Sequence, residues 1–293
     1  MPKTTIEHRS TLVYFGDDTF AYAGRHQHER GHPVHTHSFV EVATVAAGAG
    51  VHHSLNGRQR LNVGDVVVLR PGVWHGFEDC RDLEVYNLCF SAELLRRELN
   101  WTRDDPLLGP LLWTGPYTER RRGILTTTLA PESRAGYFTH LDQLARLRTL
   151  PQHLHRTDMI AHVVLALSCV ARAAGGGARL DPMHPAVAAV MRRIEGQPAH
   201  NWTLGELADE LHLAPSYLIR LFKSATGLPP IAFLHRHRVE IAAEMLLHSD
   251  RTVRAIADTV GWPDQNHFAR RFRAHYGLSA SEYRARFARR LRL

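Results

Sequence analysis

The sequence predicts an α+β chain of two domains: a small β-barrel with helices at its C-terminal side, then an all-α domain carrying two helix-turn-helix motifs. Three observations predict it. Short apolar runs separated by Gly-rich turns fill residues of about 12 to 90, which is the pattern of a barrel or sandwich. From about Ser91 the apolar spacing changes to threes and fours, the period of helices packed on one face. The last hundred or so residues then contain one helix-turn-helix pattern twice.

The expected strands are Val40 to Val45, Gly50 to Leu55, Gln59 to Val63 and Asp65 to Leu69, with Asn56-Gly57 as a hairpin turn. Two amphipathic helices follow, one carrying Phe138, Leu141, Leu144 and Leu147, the other Ile160, Val163, Val164, Leu167 and Val170. The second stripe is apolar and wide enough to pack on the barrel or on the same helix of another subunit, and a homodimer is the commoner outcome. Residues 175–185 concentrate Gly and Pro and read as a linker. The first domain is thus expected over residues 1–174, with barrel to about 90 and helices over 91–174, and the second over 186–293.

In the second domain, Leu204, Leu207, Ala208 and Leu211 repeat as Val253, Ile256, Ala257 and Val260 at an offset of 49, whereas Phe222 and Gly227 repeat as Phe272 and Gly277 at an offset of 50. One residue is therefore added in the second turn. The small Ala208 and Ala257 suit two helices crossing closely, with Pro215 near the start of one second helix and Gly261 ending a first helix. A helix of near 18 residues from Ile231 to His248 joins the two units. At 1.5 Å per residue it spans about 27 Å, enough to set the units roughly one turn of B-DNA apart.

The net charge of +7 is uneven: from Gly175 onward there are 17 Lys and Arg against 11 Asp and Glu. That asymmetry is the footprint of a module that neutralises phosphates, so double-stranded DNA is the expected partner. No uninterrupted apolar run approaches the ~20 residues of a membrane span, and the first residues lack a signal-peptide core, so no membrane partner and a cytoplasmic location are expected. The cysteines Cys80, Cys89 and Cys169 have no metal-type spacing and read as reduced thiols.

Ile256-Ala257-Asp258-Thr259-Val260-Gly261-Trp262, Asn266-His267-Phe268, Arg271-Phe272-Arg273, Tyr276-Gly277 and Ser279-Ala280-Ser281-Glu282-Tyr283-Arg284 form a long ordered signature. It resembles that of the AraC/XylS family of bacterial transcription regulators over about Pro185 to Phe287. The resemblance implies that the second helix of each unit enters the major groove and that RNA polymerase is a partner. Helical spacing assigns Leu218, Leu221, Phe222, Phe268 and Phe272 to the core. Ser216, Tyr217, Ile219, Arg220 and Lys223 remain for DNA on one helix, and Gln265, Asn266, His267, Ala269, Arg270 and Arg273 on the other. Arg220 and Arg270 are the expected direct readers, since Arg pairs bidentately with guanine at ~1–3 kcal/mol of discrimination. Arg271, Arg273 and the tail arginines 286, 289, 290 and 292 read as phosphate contacts or solvated charge.

In the first domain, His35, His37, Glu41 and Gly48, followed by Gly64-Asp65 and Gly72-Val73-Trp74-His75, resemble the two motifs of the cupin barrel. Pro71 stands one place later than the motif has it, and Asp79 near where it has Asn. Positions 35, 37 and 41 share parity, so on one extended strand their side chains leave the same face. With His75 they make a set for a divalent Zn, Fe, Mn or Ni ion, or they line the pocket of a small-molecule effector, or they only pack at the barrel mouth. No cofactor is otherwise expected. The barrel is most similar to the sugar-responsive, rhamnose-regulator-like branch of the family, which would make the effector a sugar. Phe39, Trp74, Phe77 and Tyr86 are then either a stacking surface or core.

The expected function is a sequence-specific, effector-responsive regulator, in the main an activator of sugar or small-molecule catabolic genes, and no enzyme. Two alternatives stay open: a metal-dependent cupin enzyme fused to a DNA-binding module, and a constitutive DNA-binding regulator with a vestigial barrel.

Overall fold

The computed structural model describes residues 20–37, 39–117, 122–175 and 184–287. The Gly-rich middle of the expected linker and the tail arginines 289, 290 and 292 lie outside the described residues. The chain divides into two compact units, one holding the sheet with its helices and the other the C-terminal helices.

One antiparallel sheet of seven strands makes the first unit: β1 (Ala21–His28), β2 (His32–His35), β3 (Phe39–Ser54), β4 (Gly57–Asn62), β5 (Asp65–Leu69), β6 (His75–Ser91) and β7 (Ile124–Thr128). Its path runs β1-β6-β3-β5-β7, with β2 on β6 and β4 on β3. The two strands expected at Val40 to Val45 and Gly50 to Leu55 are a single strand, β3. The small run Ala46-Ala47-Gly48-Ala49-Gly50 does not break it but lets its register to β6 slip three times between Val45 and Val51. Gly48 is required there, because its φ is 67° and a Cβ would meet the Asp82 carbonyl oxygen at 2.1 Å. β7 corrects the expectation that residues 91–174 hold helices alone. It is five residues long and paired on one edge, too short for its Ile-Leu-Thr-Thr-Thr pattern to stand out.

Strand alternation sorts the two faces of β3. Ala43 and Val45 join Val67, Leu69, Val73, Phe77, Leu83 and Val85 in the apolar interior, and Glu41 shares their parity. Val42 and Thr44 point the other way, towards α2 (Pro131–Leu147), where the Thr44 and Tyr137 hydroxyls meet at 2.9 Å. A short α1 (Ala92–Arg96) follows β6, and α3 (Arg156–Gly175) packs on α2. By length and composition α3 could cross a membrane, yet Met159, Val163, Ala166, Leu167, Val170 and Ala171 are buried within this unit. Most of the stripe offered for dimerisation is therefore consumed internally. Ile160 and Val164 are half-buried, and Leu165 is exposed.

The second unit contains α4 (Pro185–Gly196), α5 (Leu204–Asp209), α6 (Pro215–Thr226), α7 (Pro230–His248), α8 (Val253–Thr259), α9 (Gln265–Tyr276) and α10 (Ala280–Phe287). Thr203 and Glu206 close a capping box on α5, and Gly227 and Gly277 end α6 and α9 in the left-handed region. Phe268, Phe272, Tyr276, Tyr283 and Phe287 are all buried and stack in succession at 4.9–5.6 Å between ring centroids.

Candidate nucleic-acid interface and barrel site

Each recognition helix is held by a short preceding helix and a turn with matching backbone bonds. In the first, Leu213 N–H donates to Ala208 O; in the second, Trp262 N–H donates to Ala257 O, an equivalent pair. The turn residues in left-handed conformation, His212 and Gly261, also correspond. The N-caps that follow, Ala214 and Asp264, are one place out of step, so the added residue of the second unit is Pro263.

Ser216, Tyr217, Arg220 and Lys223 are exposed on α6, and Ile219 is half-buried beside the buried Leu218 and Phe222. On α9, Gln265, Asn266, Ala269, Arg270, Arg271 and Arg273 are exposed while Phe268 and Phe272 face inward. His267 is placed differently from its neighbours. Its ring stands edge-on to Trp262 at 4.7 Å, and its Nε2 receives the Arg271 Nε–H at 3.3 Å.

Sequence reasoning missed Arg238. This α7 residue is 3% exposed and donates three hydrogen bonds of 2.7 Å, to the carbonyls of Pro198, His200 and Gly261. The first two precede α5, and the third lies in the turn before α9, so one guanidinium ties the linking helix to both units. Gly261 is fixed by the same contact: its φ is 91°, and a Cβ would stand 2.7 Å from Ala199 O and 2.9 Å from the Arg238 guanidinium carbon. Nothing in the local pattern signals this, since the partners lie 23 to 40 residues away.

In the barrel, His35, His37, Glu41 and His75 do converge, though not by shared parity on one strand. His35 ends β2, His37 sits in the connection, Glu41 is on β3 and His75 opens β6. One ligand atom each from His35, Glu41 and His75 lies within 4.8 Å of the others. His37 Nε2 is 2.7 Å and His75 Nε2 3.3 Å from Glu41 Oε2. Neither contact has hydrogen-bond alignment, and both ring nitrogens of the fully buried His75 lack a hydrogen bond. Burial, with His75 next in weight, drives the His35 imidazole well below its ordinary value, and burial lowers that of His75 against the pull of Glu41. Burial opposes ionisation of Glu41, but His75 and His37 outweigh it and hold the carboxyl well below the usual range.

His52 joins this group unannounced by any motif. It is buried, its ring centroid is 5.5 Å from that of His75, its Nε2 has no hydrogen bond, and burial with the adjacent His75 pushes it down to about 3. Its place follows from the pairing of His52 with Phe77, which strand alternation alone does not specify. A buried carboxylate with imidazoles around it is a donor set of the kind that suits a divalent ion of borderline softness. Of the four aromatic residues weighed as a stacking surface, three are buried: Phe39 stacks on His37, Phe77 joins the apolar interior, and Tyr86 stacks on Phe138 of α2, while the half-buried Trp74 meets His53. A separate cleft of about 330 Å³, with Arg60 and Arg81 in its lining, includes none of the histidines.

A sheet domain with buried polar donors and a helical domain with two exposed recognition helices define a ligand-binding, DNA-binding regulator. The chain belongs to the AraC family of transcription regulators: residues 19–121 match the AraC-like ligand binding domain and residues 207–286 the helix-turn-helix domain. It is not an enzyme. It is 25% identical over 265 residues to the HTH-type transcriptional activator RhaR of Yersinia pestis, covering 87% of this chain and 85% of that one. It is 33% identical over 104 residues to the RCS-specific HTH-type transcriptional activator RclR of Escherichia coli, 36% of this chain and 37% of that one. Its fold resembles that of unsaturated fatty acid bound ToxT of Vibrio cholerae, with a TM-score of 0.54 and 12% identity over 91% of this chain and 95% of that one.

Proposed function

We propose that the chain is an effector-responsive transcriptional activator that reads adjacent major-groove segments with α6 and α9. The observation that carries this is the pair of exposed polar helix faces fixed to one frame by Arg238. Activation is supported by the character of the relatives, RhaR and RclR, and it makes RNA polymerase a partner in the bacterial cytoplasm. The edge of α3 formed by the half-buried Ile160 and Val164 and the exposed Leu165 is the surface proposed for a second copy. The barrel interior around His35, His37, Glu41 and His75 is the proposed effector site, and resemblance to the sugar-responsive branch makes a sugar the first organic effector to test.

The decisive experiment is selection of bound DNA from a random pool by the full-length protein, followed by affinity measurements on the selected site with and without effectors. Enrichment of two half-sites about one helical turn apart is the expected result. Enrichment of a single short site, or none, would defeat the two-helix reading. An affinity indifferent to every effector would favour the constitutive alternative.

A further inference from the structure

We infer that His267 is a positioning residue of the second recognition helix: its neutral imidazole aims Arg271 at a DNA phosphate on the wall of the major groove, and protonation of that ring releases the arginine. This rests on the reading of α9 as a helix that enters the groove. Residues 267 and 271 are four apart, so they stand one above the other on α9. They occupy the flank between the buried stripe of Phe268 and Phe272 and the exposed Asn266, Arg270 and Arg273. A helix is about 10–12 Å across with its side chains and the major groove about 12 Å wide, so a flank meets the phosphates of the groove wall before any base edge. The first unit lacks this device. Phe222 matches Phe272, which puts Tyr217 and Leu221 where the second unit has His267 and Arg271, and Leu221 offers no charge to a phosphate.

The direction of one proton fixes the state of the histidine in this contact. Arg271 Nε can only donate, and it lies 3.3 Å from His267 Nε2. That nitrogen therefore accepts and bears no hydrogen, so the ring is neutral with its proton on Nδ1. The contact uses one N–H of the guanidinium and leaves the four on its terminal nitrogens, the pair that grips a phosphate. Neighbouring rings hold the imidazole in place: Trp262 stands edge-on to it at 4.7 Å and His235 of α7 at 5.4 Å, and those two rings are 4.7 Å apart. The charged and titratable groups around His267 are Arg271 on its own helix, Asp264 at the cap, and His235 and Arg238 on α7, the last over the Trp262 ring at 5.7 Å. Burial, with Arg271 next in weight, pushes His235 down to about 4, so that ring stays neutral through the interval of about pH 5 to 8 in which imidazoles ordinarily charge. A proton on His267 Nε2 sets two N–H groups and two positive charges against each other at 3.3 Å, and the contact is lost.

The test measures binding of the full-length protein to the DNA site it selects, over a salt series and from about pH 8 to about pH 5. At the upper end Arg271→Ala should weaken binding by about tenfold, equally on every base-substituted site, and reduce the salt slope by about 1. His267→Ala should lose about threefold, and nothing further in a chain that already carries Arg271→Ala, because it acts only through that arginine. His267→Gln keeps an acceptor that never charges. It should match the wild type at the upper end of the range and hold that affinity at the lower end, where the wild type falls to the level of His267→Ala. A His267→Ala loss that adds in full to that of Arg271→Ala, a His267→Gln profile that follows the wild type with pH, or an Arg271→Ala loss confined to one base pair overturns the inference. Wild-type affinity that rises as pH falls while His267→Gln stays flat overturns it as well, since a charged His267 then holds the phosphate itself. If His267→Ala lowers Tm, the pH profile of His267→Gln decides. Failure of the wild type to select any DNA would instead defeat the reading of α9 as a recognition helix.

Discussion

The two helix-turn-helix units share a backbone plan and differ in how each recognition helix begins and in what each offers to DNA. α6 starts at Ala214, which has no side-chain cap, whereas Asp264 accepts the Asn266 and His267 N–H groups at the head of α9. The second unit also has Trp262 where the first has Leu213, and Gly261 where the first has His212. Behind Trp262 stands His235 of α7, with ring centroids 4.7 Å apart, and Arg238 binds Gly261 O. The second unit is therefore more tightly keyed to the linking helix, and its helix carries the longer hydrogen-bonding face.

The largest expected effect is from Arg238→Ala. It removes a buried guanidinium that donates to three carbonyls at the surface or partly buried, and should cost about 3 kcal/mol in denaturant unfolding. If the loss is confined to a few tenths, the two units are not tied through this residue. Gly261→Ala is expected to cost about 2–3 kcal/mol, because it combines a left-handed backbone with a close approach to Ala199 and Arg238. His212→Gly at the matching position should instead stabilise by about 0.5–1 kcal/mol, since it relieves a left-handed non-glycine residue. Equal effects of the two substitutions would show the turns to be interchangeable.

For DNA, Arg270→Ala should lose about 1–3 kcal/mol of discrimination at one base pair, and Arg220→Ala less. Binding to a series of base-substituted sites measures both, and the order of the two arginines decides which helix reads more. Asp264→Ala should cost about 1 kcal/mol of stability, and no substitution at Ala214 can match it by removal of a cap. A further effect is with pH. Burial, with Arg271 next in weight, pushes His235 down to about 4, against about 6.5 in an unfolded chain. Between those values the unfolded chain binds a proton that the folded one does not, so stability falls as pH drops from 6.5 towards 4 and is indifferent to this group above 6.5. His235→Gln should flatten that part of the pH profile of Trp fluorescence unfolding.

Much of the second domain is legible in the sequence because its signals are local. Each helix-turn-helix is set by apolar spacing and a turn within some twenty residues, and the second copy repeats the first. The barrel is harder to read: β3 looks like two strands because its small middle residues resemble a turn, and β7 is five residues long. His35, His37, Glu41 and His75 are announced by motif, yet their meeting depends on the connection at 36–38 and on β6. His52 and Arg238 carry no local signal at all. Cross-strand register places one, and carbonyls 23 to 40 residues away define the other.

Arg238 also bears on the operator. Adding one base pair between two half-sites moves the second by about 3.4 Å and turns it by about 34° around the duplex. A pair of flexibly joined readers would follow that rotation. Two readers locked in helical phase by one guanidinium must surrender the contacts of one helix or distort the DNA, which makes the spacer length itself part of the sequence being recognised.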